Sequence, residues 1–225
     1  MVKKAAEIDS TQSLDLIKGL SLSGWELTSA LSGYVSSAGR GGNWRKVIED
    51  LSGFEQRRDS RGNPVDLSRD TRTMIAGQWV VEDFEKGMQW FTKETERDYS
   101  NPKDVSEVSS VLARLPEEER HRAVEWLQNE KGQPNWDDSL ILKYGASLVR
   151  ETPDANANQL VGMMSRENDR YELVKYFIGS DDPHQRNTLP HSPEDLNRLI
   201  ESANLSSVNA SRLKEVVLGG YWHGR

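Results

Sequence analysis

Residues 113–127, ARLPEEERHRAVEWL, decide the fold once set beside residues 77–91 (GQWVVEDFEKGMQWF), 146–161 (ASLVRETPDANANQLV) and 189–201 (LPHSPEDLNRLIE). Each is a helical phrase with a large apolar anchor at or near its end, and the anchors Trp90, Trp126, Leu160 and Ile200 are separated by 36, 34 and 40 residues. Each interval has room for two helices and their turns, the spacing of stacked helical hairpins. Working outward from these segments, no alternating β-branched stretch competes with helix. The expected fold is all-α, a stack of antiparallel hairpins (an α-solenoid or α-α superhelix) with about ten to twelve helices of ordinary length.

Helix starts are marked by a polar capping residue followed by proline, at Asn63-Pro64, Asn101-Pro102, Thr152-Pro153, Asp182-Pro183 and Ser192-Pro193. The side-chain oxygen accepts an otherwise unsatisfied N–H of the first turn, and proline has no N–H to leave unpaired. Trp44, Val47, Ile48 and Leu51 fall at i, i+3, i+4 and i+7, which predicts an amphipathic helix after the break at residues 39–42. The domain reading follows: 1–62 form a divergent N-terminal helical region or cap, 63–218 the helical-repeat region, and 219–225 a C-terminal tail. Trp79, Trp90 and Trp126 lie on apolar stripes and are expected to fill the wedges between hairpins.

On these anchors, residues 67–218 resemble the broad helical-repeat class that includes the HEAT-like and tetratricopeptide-like α-α superhelices. The early tryptophan, leucine-glycine and tyrosine of the tetratricopeptide pattern do not occur in any unit, and the uneven spacing is nearer to irregular HEAT-like pairs. The resemblance implies scaffolding or peptide binding on a concave face, and it brings no catalytic residues with it.

With 35% hydrophobic and 29% charged residues, the composition suits an elongated soluble array. Twenty-nine basic against 36 acidic residues give a net charge of −7, which repels phosphate backbones and argues against nucleic acid as partner. The arginines at 57, 58, 61, 69 and 72 are interrupted by Asp59, Asp66 and Asp70 and read as a mixed-charge surface. The chain has no cysteine, which removes disulfides, thiolate metal sites and cysteine nucleophiles. No signal peptide or apolar run of about 18 residues is recognisable in this chain, so no membrane span is expected and the compartment is left unknown, with the cytoplasm as the default.

Motifs for chemistry are sparse. Glu118 and His121 stand at the spacing of a half di-iron motif, but within a charged run that reads as a solvated face. Asp181, Asp182, His184 and His191 form the one other cluster with metal-ligand chemistry, and turn formation and helix capping already account for Asp182. No nucleophile elbow or phosphate loop occurs, so no catalytic residue, resident metal or cofactor is expected. Trp136, Tyr221 and Trp222 are the candidate exposed aromatics for a partner, and Asn156, Asn158 and Gln159 could hydrogen-bond a peptide backbone. The expected function is a non-enzymatic scaffold for a protein or peptide. The alternatives are an all-α hydrolase or metal-dependent enzyme built on a carboxylate/His cluster, and a subunit or segment of a larger assembly.

Overall fold

The computed structural model describes residues 10–20, 22, 24–39, 44–55, 69–93, 97–134, 136–148, 155–179 and 192–222. Among them are twelve α-helices, one short 3-10 turn and no strand. The chain divides into two compact units, Met1–Glu96 and Arg97–Arg225. The boundary expected near residue 62 falls outside the described residues.

The first unit contains α1 (Ser10–Gly19), α2 (Gly24–Gly39), α3 (Trp44–Glu55), α4 (Arg69–Glu82) and α5 (Phe84–Lys93). Its core joins Leu14 and Ile17 of α1, Leu31, Tyr34 and Val35 of α2, Trp44, Val47 and Leu51 of α3, and Ile75 of α4. The predicted stripe of α3 is buried at Trp44, Val47 and Leu51. Trp44 stacks on Trp79 at 6.0 Å, Trp79 lies 5.8 Å from Trp90, and the Trp44 indole N–H donates to Glu82 at 2.9 Å. Trp79 and Trp90 are half-buried, so their rings serve packing as expected.

The second unit contains α6 (Pro102–Leu112), a 3-10 turn (Glu117–Glu119), α7 (Arg120–Glu130), α8 (Ser139–Ser147), α9 (Ala155–Met163), α10 (Glu167–Ile178), α11 (Pro193–Ser202) and α12 (Ser207–Trp222). Alternate helices are neighbours: α6 packs on α8, α8 on α10 and α10 on α12, while α7 packs on α9 and α9 on α11. The burial pattern follows from this order. Flanked on both sides, α8 buries Leu140, Ile141, Tyr144 and Gly145, and α10 buries Leu173, Val174, Phe177 and Ile178. Each such aliphatic or aromatic side chain withdrawn from water stabilises the unit by about 1.5–3 kcal/mol. By contrast α12 buries Leu213 and Val217 and leaves Val208 and Leu218 more than half exposed.

Two of the proline starts are described, and both form the cap read from sequence. Asn101 accepts the Lys103 N–H at 3.0 Å and Ser192 accepts the Asp195 N–H at 3.1 Å. The caps at residues 63, 152 and 182 lie outside the described residues. Helix α12 continues through Trp222, whereas the sequence placed a tail from 219. Gly219 and Gly220 weaken a helix by about 1 kcal/mol each without blocking it, since both keep their N–H groups.

Candidate peptide-binding groove

The groove is built from the turns that precede α6, α8 and α10. Asp98 accepts both the backbone N–H of Ser100 at 2.9 Å and its hydroxyl at 2.7 Å, closing the turn that leads into the Asn101 cap. Those hydrogen bonds hold the Asp98 carboxyl below the usual carboxylate range. Beneath it, Arg97 reaches Glu107 at 2.5 Å and Asp104 at 3.7 Å, and all three are buried. Tyr99 donates to Glu130, and burial pushes both groups' pKa values upward.

Successive turns are joined by side chains that bind backbone. Ser139 donates its hydroxyl to the Tyr99 carbonyl at 3.2 Å, linking the first turn to the start of α8. Asp138, 5% exposed, accepts the Trp136 indole N–H at 3.0 Å and the Ser165 N–H at 2.6 Å, linking the second turn to the third. Lys131 donates to the Met163 carbonyl across the same step. Arg170 donates to the carbonyls of Met164 and Ser165 in its own turn and of Ala203 and Asn204 in the next. Glu167 accepts the Ser206 N–H at 2.9 Å and the Asn209 amide at 2.7 Å, which lowers its pKa.

This register brings one side of α6, α8 and α10 together around a groove of about 520 Å3. Pro102 and Val105 of α6, Leu142, Lys143 and Ala146 of α8, and Tyr176 of α10 line it, with Ser100, Asp137 and Ser139 at its turn end. The volume is within the range of ordinary ligand clefts. Desolvation opposes ionisation of Asp137, but the Ser139 hydrogen bonds and Arg166 at 3.5 Å outweigh it, and its pKa lies below the usual range. Arg166 is shared between Asp137 and the nearer Asp169 at 2.5 Å, and among the described residues Lys143 has no ion pair. Chemically the groove offers an apolar floor, one ammonium and one phenol, with the Asp137 carboxylate and two serines at its turn end.

Among the described residues, none of those singled out from sequence lines the groove. Trp136 is half-buried with its ring edge on Tyr99 at 5.9 Å and its N–H committed to Asp138, so it is not the exposed aromatic that was expected. Asn156, Asn158 and Gln159 stand on α9, which contributes nothing to the groove lining, and the Asn158 side chain accepts the Ser202 hydroxyl at 2.7 Å. Tyr221 and Trp222 are helical, with side chains outside the described residues, as are Asp181, Asp182, His184 and His191 altogether. His121 and Glu118 are exposed, with the imidazole against the Glu118 carbonyl at 3.0 Å. Among the described residues no three His, Asp or Glu side chains gather as a metal site, and no helix is long and apolar enough to cross a membrane.

Sequence reasoning missed Leu142, Lys143 and Tyr176. A signal was present: Leu142 and Tyr176 are apolar residues off the core stripes of their own helices, Leu140-Ile141-Tyr144 and Leu173-Val174-Phe177. Comparison with protein-family models, with curated proteins and with solved structures finds no match for this chain.

Proposed function

We propose that this chain is a scaffold of the helical-hairpin type, a binding protein rather than a catalyst, whose second unit holds a protein or peptide partner. The α6–α8–α10–α12 and α7–α9–α11 neighbour relations support a stack of hairpins in two rows, the α-α superhelix arrangement, within this unit. The observation that carries the reading is the groove along one row: Pro102, Leu142 and Ala146 of its apolar floor lie outside the buried core of their helices, whereas Val105 belongs to that core. Surplus apolar surface in a concave setting is what a partner segment covers.

Because the chain contains no cysteine, a single one can be placed at will and carry a photocrosslinker. With the label at Lys143, crosslinking in native lysate yields a stoichiometric adduct to one protein; with the label at exposed Gln128 of α7, it does not. Equal labelling of many proteins from both positions, or of none from either, rules the scaffold reading out.

A further inference from the structure

Helix α12 closes the row α6–α8–α10–α12, packing on α10 and α11 through Leu213 and Val217. The last helix of a stack that faces only water carries a polar outer side. Here α12 keeps Val208 and Leu218 outward, both more than half exposed. Val208, Arg212, Glu215 and Gly219 fall at i, i+4, i+7 and i+11 and are all exposed, so they form one outward stripe, flanked by Leu218.

The stripe is complementary to its own reverse. Arg212 and Glu215 lie at equal distances along the helix from the point between Leu213 and Lys214, and so do Val208 and Gly219. A second α12 laid antiparallel on the first therefore sets Arg212 against Glu215 of the second copy, and Glu215 against its Arg212. Val208 falls beside Gly219 and Leu218 of that copy at each end. A Cβ at Gly219 would meet nothing within 4 Å, so the backbone there is open to close approach.

The two charges are also unspent. Lys214 is paired with Glu201 at 3.1 Å and the Asn209 amide donates to Glu167, whereas neither the Arg212 nor the Glu215 side chain has a hydrogen bond or ion pair among the described residues. Within one helix, a cation three positions before an acid is the weaker order for pairing. Across a twofold axis the same two residues make two pairs. The stripe itself is neutral, so the net charge of −7 is carried elsewhere on the chain.

We propose that the outer face of α12 is the interface for a second copy of this chain, the two helices antiparallel about a twofold axis between Leu213 and Lys214. This goes beyond the scaffold reading and does not depend on the groove. One helix pair covers less than the roughly 1,200 Å2 of a standard interface, so the dimer is weak and forms at high protein concentration.

Sedimentation equilibrium of the full chain from micromolar to millimolar concentration tests it. The mass rises from monomer to dimer and stops there, because a twofold contact is closed. Arg212→Glu and Glu215→Arg each weaken association by at least about ten-fold, since like charges then face each other twice. Glu215→Arg makes the chain less negative, so its loss of association is not overall repulsion. An equal mixture of the two variants recovers a heterodimer of parental affinity, each stripe now matching the other. Both positions are exposed, and circular dichroism checks that helicity is kept.

A chain that stays monomeric throughout overturns the proposal and leaves the scaffold reading to the crosslinking experiment. A dimer that survives both substitutions overturns it, as does a mixture that fails to recover association. Growth beyond the dimer assigns the contact to an open, head-to-tail assembly, which also overturns it.

Discussion

The carboxylate of Asp138 accepts the backbone N–H of Ser165 at 2.6 Å, joining two turns that stand 27 residues apart. Its other oxygen holds the Trp136 indole N–H, and the group is buried. Asp138→Ala leaves both donors without their acceptor and lowers stability to urea by about 2–3 kcal/mol. Asp138→Asn keeps one acceptor oxygen and recovers about half of that loss, in line with one hydrogen bond retained of the pair. An alanine variant within about 0.5 kcal/mol of the parent counts against the link.

Arg97 sits between two buried acids, Glu107 at 2.5 Å and Asp104 at 3.7 Å. Removing the cation strands two carboxylates in a poorly solvated site. Arg97→Ala is expected to destabilise the second unit by about 3–5 kcal/mol, measured by thermal or urea unfolding. A triple change of Arg97, Asp104 and Glu107 to apolar residues of similar volume restores most of it, because the loss comes from stranded charge.

Two helical glycines predict contrasting outcomes. A Cβ at Gly87 would lie 2.9 Å from the Val80 backbone nitrogen, which cannot move without shifting α4. A Cβ at Gly145 would lie 2.6 Å from Leu173 Cδ1, the end of a rotatable side chain. Alanine gains about 1 kcal/mol of helix propensity at either site. Gly87→Ala is therefore a net loss of about 2 kcal/mol, while Gly145→Ala stays within about 1 kcal/mol of the parent in urea unfolding.

Acid stability follows from the lowered carboxyls. The Ser192 hydroxyl lowers Asp195, the Ser206 N–H lowers Glu167, and Ser139 with Arg166 lowers Asp137 against its desolvation. A carboxyl whose folded pKa is depressed contributes stability that is present above its unfolded pKa and lost as pH falls through the folded value. Helicity of the chain is expected to hold from neutrality to about pH 4 and to fail below it. Glu130 has the opposite sign, since burial raises its pKa, and it weakens the fold as pH rises through that value.

The helices were legible in sequence because each carries its own stripe and, in several cases, its own cap. Ser192-Pro193 fixes where α11 begins, and Leu196, Leu199 and Ile200 fix which face it buries. Finer boundaries were less so: residues 117–119 wind as a 3-10 turn before α7, where a run of glutamates gave no hint of the tighter winding. The groove was hardly legible. It depends on α6 meeting α8 and α8 meeting α10, each skipping the helix between, and a stripe states that a face is buried without stating against which helix. Trp136 misled for the same reason: its ring partner Tyr99 becomes visible only once the turns are adjacent, although Asp138, two residues on, was a local acceptor for its indole N–H.

The ties formed by Ser139, Asp138, Arg170 and Glu167 all gather at the turns between helices. Helices fastened along one margin keep their spacing there, as pages sewn at the spine do. The width of the groove is thus set by ties at its turn end, and those of Asp138, Arg170 and Glu167 act from outside its lining.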